Sequence, residues 1–133
     1  GRGLVNIYNY LCFKENHTPE MSTADQIGLA AKEGIILARN AARLMVEIFA
    51  TSIANNILVT GSQKCVIICG GISAKLSEIF GDSMFHDRLR NKGKYKNYVS
   101  DVPILLSFDD NNGLKGSAEA FYNPFFQRQK VSI

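Results

Sequence analysis

Two adjacent glycines, Gly70 and Gly71, follow directly on the most apolar run of the chain. The Val-Ile-Ile run before them shows no polar alternation, which favours a strand covered on both faces in a parallel α/β sheet. Glycines allow a sharp turn and leave the backbone bare toward anything packed against it. Ligands of open α/β sheets bind at such strand ends, often near a helix N-terminus, and Ser73 is placed to cap the helix that follows. The pair therefore favours a nucleotide site, with an ordinary strand-to-helix corner as the alternative.

The cysteines and histidines indicate neither a disulfide nor a metal site. Cys65 and Cys69 lie on one predicted strand, so their Cα atoms should be about 13 Å apart, whereas a disulfide needs less than about 7 Å. Cys12 falls in a predicted helix, and we expect all three thiols to be free. His17 and His86 have no cysteine or histidine at metal-ligand spacing, so we expect no zinc.

Asp109 begins a run of two aspartates, two asparagines and a glycine at the end of a second predicted strand. Paired carboxylates can serve as acids, bases or metal ligands. Turn and helix-capping hydrogen bonds explain this run adequately, so we expect no catalytic role for Asp109.

Five cations near residue 90 could form a nucleic-acid footprint with two neighbouring tyrosines. The set is Arg88, Arg90, Lys92, Lys94 and Lys96, with Tyr95 and Tyr98. A footprint normally needs a wider basic face, and three aspartates lie close by in sequence, so a solvated helix end and loop is the favoured interpretation.

Size and composition describe one soluble domain. The chain has 133 residues, 46% hydrophobic and 20% charged, with a formal net charge of +3. No apolar run approaches about 20 residues free of charge, so we expect no membrane span. No basic and apolar leader is recognisable, and a cytoplasmic location is the expectation.

Helical periodicity dominates the elements that must position these residues. Residues 5–12 carry an apolar stripe, and residues 24–59 are helical throughout with a break near Gly34. Within the second part a polar stripe recurs every fourth residue on a helix that is otherwise apolar, as expected of a core helix. The stripe consists of Arg39, Arg43, Glu47, Thr51 and Asn55.

After the first strand we expect two short helices, a second strand over residues 102–108 and a last helix over residues 114–122. Asp82 is placed to cap the second short helix, and Gly61 to end the long one in a left-handed conformation. Small residues near Gly116 predict that the last helix faces a close neighbour. The fold class is α/β, helix-rich with few strands.

Four ordered blocks of the chain resemble the C-terminal segment of bacterial-type glucokinases, in the sugar kinase/actin/Hsp70 superfamily. Residues 1–8 resemble a Ser-Gly-x-Gly-Leu loop followed by Val-Asn-x-Tyr, and residues 66–72 resemble a strand ending in Ala-Gly-Gly-Ile. Phe85 with residues 92–95 and 98–103 resembles Phe…Lys-Gly-(Arg/Lys)-aromatic and Tyr-Val-x-Asp-(Ile/Val)-Pro. Residues 110–117 resemble Asp-Asn-Pro-Gly-Leu-x-Gly-(Ser/Ala), with Asn112 at the proline position, which predicts a less rigid turn. The match is weakest between residues 14 and 61.

The resemblance implies transfer of a phosphoryl group from ATP to glucose with Mg²⁺, on an actin-like, ribonuclease H-like fold. It assigns the adenosine side of the nucleotide site to Gly70 and Gly71, with Gly1 and Gly3 flanking the same site. Leu76 would be an apolar wall, although a core contact explains it equally well. Among partners we further expect that the protein can form a homodimer and that it binds neither nucleic acid nor a membrane.

The family's phosphate loop, general base and sugar ligands precede this segment and do not occur among residues 1–133. The resemblance therefore implies that residues 1–133 are the C-terminal part of the large domain, without the small domain. No catalytic residue is assigned to this chain, which we expect to be inactive alone because phosphoryl transfer needs base, metal and phosphate loop together. Two alternatives remain, a sugar-responsive regulator on the same fold and an interaction module.

Overall fold

The computed structural model describes residues 1–71, 75–109 and 111–124. Its helices and strands follow one another as α1 (Arg2–Lys14), α2 (Ala24–Lys32), α3 (Ile36–Thr60), β1 (Val66–Ile68), α4 (Ser77–Phe80), α5 (Ser83–Arg90), α6 (Lys96–Ser100), β2 (Ile104–Leu106) and α7 (Asn112–Tyr122). A 3₁₀ turn, Gly93–Tyr95, precedes α6. The expected helix-rich α/β character is confirmed. The predicted cap at Ser73 and the second aspartate of the 109–110 pair lie outside the described residues.

The long helix α3 forms the centre of the molecule, and α1, α2 and α5 pack against it. Five of its eight buried residues are alanines, and Val46 and Ile57 are among the others. Alanine has a minimal side chain and a high helix propensity, so it lets neighbouring helices approach closely without weakening α3. The helix α1 contributes Leu4, Tyr8 and Cys12, which share one face at a spacing of four residues.

Local signals fix the helix ends where the sequence predicted them. Thr23 Oγ1 accepts a hydrogen bond from the Gln26 N–H at 3.3 Å, and Gln26 Oε1 accepts one from the Thr23 N–H at 3.1 Å. This is a capping box at the start of α2. Gly34, with φ +89°, separates α2 from α3, and Gly61, with φ +65°, ends α3 in the left-handed conformation.

Asp82 is an exception among the predicted caps. It directly precedes α5, but its side chain makes no cap hydrogen bond. Its carboxylate instead lies 3.6 Å from the Arg43 guanidinium on α3. The ion pair between two elements takes the place of the local cap, so the predicted capping bond at Asp82 is wrong.

The polar stripe of α3 meets the segment that begins at α5. Arg88 Nε donates to Thr51 Oγ1 at 3.0 Å, and Lys92 Nζ donates to Asn55 Oδ1 at 2.6 Å. Polar side chains on an otherwise apolar helix are therefore matched by polar partners across the contact with α5, beside the Arg43 pair described above.

The two strands pair in parallel, with Ile67 opposite Leu105. Ile68 is buried, but Ile67 is 61% exposed and Leu105 is 51% exposed. These two side chains lie on the same face of the sheet because they are direct partners in the parallel register. Ile68 points to the other face, since successive residues of a strand alternate between faces. The expectation that β1 is covered on both faces is therefore wrong for the described part of the chain: one face is covered and the other is open.

The helix α7 forms where the sequence predicts a helix, but none of its residues is buried. A Cβ added at Gly116 would meet no described atom within 4 Å. The close neighbour predicted from the small residues of this helix is therefore absent among the described residues. Leu114 and Phe121 are exposed on the same helix.

By length and composition alone, α3 could cross a membrane. The core helix of a soluble protein passes the same test, and α3 is packed on several sides by other helices and carries charged side chains with polar partners. Among the described residues, 33% of the most apolar window of α3 is buried.

Candidate functional site

The chain turns sharply between β1 and the residues that follow it. β1 ends at Ile68, and Gly70 has a φ of +101°, which glycine adopts far more readily than other residues. Gly71 has no positive φ, and a Cβ built on it would meet no atom of the described residues within 4 Å. The backbone of Gly71 therefore faces open space at the carboxyl end of a parallel strand.

An apolar cavity of about 200 Å³ lies on one side of this turn. Met45 and Phe49 of α3 form one wall, and Phe80 of α4 forms another. The ring of Phe80 contacts Phe49 edge to face, with the centroids 6.2 Å apart, and contacts Phe85 at 5.3 Å in the same manner. These aromatic pairs fix the shape of the cavity, because edge-to-face packing restricts both rings. Val46, Ile68, Cys69, Gly70 and Gly71 also line it.

A second cavity, of about 250 Å³, lies on the other side of Gly71. Gly1 and Leu4 belong to its lining, together with Leu76. Three of the five site residues predicted from the sequence, Gly1, Gly71 and Leu76, therefore come together around one cavity. Leu76 is only 3% exposed, so it is both a core residue and part of the cavity wall.

Gly3 lies elsewhere than the sequence predicted. It is inside α1, since that helix begins at Arg2, and only Gly1 remains of the expected glycine loop. A Cβ at Gly3 would touch the Met45 side chain at 3.7 Å, an ordinary contact distance. Gly3 thus lies behind Met45 and lines neither cavity itself.

The second cavity contains an ion pair that the sequence analysis did not predict. The ammonium group of Lys75 donates to Asp25 Oδ1 across the cavity that both residues line. The two residues are 50 positions apart, one in the first turn of α2 and the other just beyond the glycine turn. Asp25 lies in the first turn of α2, where an acidic side chain stabilises the helix itself. Its position in the sequence therefore gives no sign of a distant partner.

Asp109 is held in a turn, as the sequence predicted. Its Oδ1 accepts the Asn111 N–H at 2.9 Å, and its Oδ2 accepts a bond from the Lys115 ammonium at 2.5 Å. The Lys115 hydrogen bond, helped by that from Asn111, holds the pKa of the Asp109 carboxyl below its ordinary value. Asn112 Nδ2 donates to the Asp109 carbonyl at 2.6 Å, so a side-chain bond supports the turn for which the sequence analysis predicted less rigidity.

Of the five basic residues near residue 90, Arg88 and Lys92 donate hydrogen bonds to α3, as described above. Lys94 Nζ lies 5.1 Å from the centroid of the Tyr95 ring.

The three cysteines are free, as expected, with Cys12 buried, Cys65 partly buried and Cys69 exposed. Among residues 1–71, 75–109 and 111–124, no three histidine, cysteine or acidic side chains are grouped to hold a metal ion.

Comparison with known proteins supplies a family. A family model described as Glucokinase matches residues 1–124. A glucokinase of Hahella chejuensis is 32% identical over 124 residues, which are 92% of this chain and 38% of that protein. A glucokinase of Nitrobacter hamburgensis is 30% identical over 93% of this chain and 39% of its own length. One of Escherichia fergusonii is 35% identical over 88% and 37%. The chain thus spans less than two-fifths of the length of these relatives, the coverage that a C-terminal segment would give.

Proposed function

Because the chain belongs to the glucokinase family, we propose that it supplies the adenosine side of the ATP site in an ATP-dependent glucokinase. The full-length protein would transfer the γ-phosphoryl group of ATP to glucose and form glucose 6-phosphate. In this proposal residues 1–133 are the C-terminal part of an actin-like, ribonuclease H-like large domain, and the protein acts in the cytoplasm.

One observation carries the nucleotide assignment: the open backbone of Gly71 borders both cavities. Ligand pockets usually measure about 300–1,000 Å³, so neither cavity alone reaches that size, whereas the two together do. A nucleotide lying across Gly71 would use both. The wall of Met45, Phe49 and Phe80 suits the flat apolar faces of adenine, and the cavity with polar groups at its edge suits ribose.

Catalysis and metal binding belong to other parts of the full-length protein in this proposal. Of the two adjacent aspartates that the sequence analysis weighed as acids, bases or metal ligands, Asp109 is engaged by Lys115 and by the Asn111 N–H. The described residues also contain no group of three or more histidine, cysteine or acidic side chains placed to hold a metal ion. The chain alone would therefore bind nucleotide without transferring phosphate.

The open sheet face favours the same view. Ile67 and Leu105 are more than half exposed, and a sheet normally buries its apolar faces against another layer. In the full-length protein, residues outside this chain would cover that face. The same exposed pair also supports the second candidate, an interaction module, in which a different protein covers it.

Thiol labelling tests the nucleotide assignment directly. Cys69 is exposed and lines the apolar cavity next to Gly70, whereas Cys65 is partly buried and lines neither cavity. We expect ATP to slow alkylation of Cys69 in the full-length protein and to leave the rate at Cys65 unchanged, as read by mass spectrometry of peptides. Cys12 is buried and reports unfolding.

Equal labelling rates at Cys69 with and without saturating ATP would contradict the nucleotide site. A coupled assay for glucose-dependent ATP consumption completes the test. Sugar-dependent protection of Cys69 without turnover would favour a sugar-responsive regulator. Stable capture of another protein without either effect would favour the interaction module.

A further inference from the structure

We infer that Asp25 recognises the 2′-hydroxyl of the nucleotide ribose and that Lys75 holds its carboxylate in place. The inference rests on the proposed nucleotide site and adds a specificity residue to it. It makes the protein selective for ribonucleotides over 2′-deoxyribonucleotides.

The Asp25 carboxylate belongs to a residue in the wall of the second cavity. Asp25 and Lys75 both line the second cavity, together with Gly1, Gly71 and Leu76. Among the described residues of that lining, Asp25 is the only one with an acidic side chain. Whatever enters the cavity and lies against Gly71 therefore has one carboxylate within its walls.

The Asp25 carboxylate can accept more hydrogen bonds than the one from Lys75. An ionised carboxylate only accepts hydrogen bonds, and its two oxygens offer about four acceptor positions. The Lys75 ammonium occupies Oδ1. The remaining acceptor positions suit a hydroxyl donor, whereas a phosphate could bind the Lys75 ammonium only by displacing the Asp25 carboxylate from it. A carboxylate on a ribose hydroxyl is also the arrangement that other nucleotide-binding folds use.

The ion pair between Lys75 and Asp25 is exposed to solvent. The side chains of Lys75 and Asp25 are 53% and 74% exposed, respectively. Exposed ion pairs contribute little to folding, so a stability role gives a weak reason for placing this pair at the cavity. Removal of either charge should leave the fold intact, and the variants can report on ligand binding.

The experiment compares ATP with 2′-deoxy-ATP as phosphoryl donors for the full-length protein. A hydrogen bond to a charged acceptor is worth a roughly tenfold to hundredfold change in affinity. We expect the wild-type protein to prefer ATP by about tenfold in kcat/KM. Asp25→Ala should remove this preference by raising the KM for ATP, with the value for 2′-deoxy-ATP unchanged within about twofold.

Two further variants separate recognition from structure. Asp25→Asn keeps one acceptor oxygen and should restore part of the preference. Glu33→Gln removes an exposed carboxylate at the opposite end of α2, outside the cavity lining, and should leave both donors unaffected. Lys75→Met frees the carboxylate without removing it, so the preference for ATP should weaken less than in Asp25→Ala.

The outcomes are distinguishable from failure of the proposed function. If Asp25→Ala weakens ATP and 2′-deoxy-ATP equally while ATP still protects Cys69, the ribose assignment is overturned and the nucleotide site stands. If Asp25→Ala raises the KM for glucose instead, the carboxylate serves the hydroxyls of the sugar substrate, which also overturns the assignment. If ATP fails to protect Cys69 in the wild-type protein, the nucleotide site itself fails and the ribose assignment with it.

Discussion

Substitution of Gly71 should change ligand binding and stability in opposite directions. A side chain at Gly71 would enter the open space between the two cavities, because no atom of residues 1–71, 75–109 and 111–124 lies within 4 Å of a Cβ built there. Gly71 also lacks the positive φ that makes other residues costly. The neighbouring Gly70 differs in this respect, since its φ of +101° would strain any side chain.

The magnitudes follow from these two facts. Alanine in place of glycine at a compatible backbone position stabilises by about 0.4–1 kcal/mol, because the unfolded chain loses freedom. Carbon atoms forced into an occupied, well-packed space cost about 1–3 kcal/mol. For Gly71→Val that cost falls on the bound nucleotide and corresponds to a roughly 5- to 150-fold rise in the KM for ATP.

The assay measures the KM for ATP and for glucose separately in the full-length protein, together with thermal unfolding of each variant. We expect the KM for ATP to rise in the order wild type, Gly71→Ala, Gly71→Val, with the KM for glucose unchanged. Gly113→Val is the matched control in this chain, since a Cβ there also meets no described atom within 4 Å and Gly113 lines neither cavity.

Equal rises in both Michaelis constants together with a lower unfolding temperature would refute the reasoning, because they would assign Gly71 to folding. An unchanged KM for ATP in a stable Gly71→Val variant would refute it as well, since a nucleotide could not then lie against this backbone. Gly70→Val should behave differently from Gly71→Val and lose stability by about 1–2 kcal/mol whether or not nucleotide is present.

Two further predictions concern titrating groups. Asp109→Asn should change turnover only slightly, because the carboxylate serves a turn, and a loss beyond about a hundredfold in a folded variant would identify a catalytic role. The pKa of Asp109 is lowered in the folded state, so its contribution to stability is present above about pH 4 and is lost as the pH falls through the folded value; urea unfolding of wild type and Asp109→Asn should converge in acid. For Tyr8, burial first and the Cys12 hydrogen bond second raise the pKa. Its stabilising effect should be complete below about pH 10 and lost above that, and Tyr8→Phe should lack this alkaline loss of stability in the same measurement.

The sequence predicted the helices well because their determinants are local. The capping box at Thr23 and the left-handed glycines at Gly34 and Gly61 act within a few residues of their own position. The glycine turn after β1 was predictable for the same reason. For Leu76 the sequence offered two alternatives, an apolar wall of the site or a core contact; its burial confirms the core contact, and it also lines the second cavity.

Features that depend on distant parts of the chain escaped prediction. The burial of Ile67 depends on what covers the sheet, and residues 1–71, 75–109 and 111–124 place nothing over that face. An apolar strand therefore indicated a requirement for cover, not its presence. The same applies to Gly116 on α7, which has room for a neighbour that the described residues do not provide. The pairing of Asp25 with Lys75 spans 50 residues, and each residue alone looks like an ordinary surface charge.

The long helix α3 explains why the candidate site has a defined shape in spite of the open sheet. Met45 and Phe49 form the wall of the apolar cavity, and the polar stripe of the same helix binds the α5 segment through Thr51 and Asn55. That segment contributes Phe85, whose ring packs edge to face on Phe80, the opposite wall of the cavity. Both walls are thereby tied to one rigid element, because a helix of 25 residues moves as a unit. The polar residues of α3 therefore keep the two walls of the cavity in fixed relative positions without taking part in the chemistry. For this reason their regular spacing in the sequence predicted a core helix and gave no indication of a site.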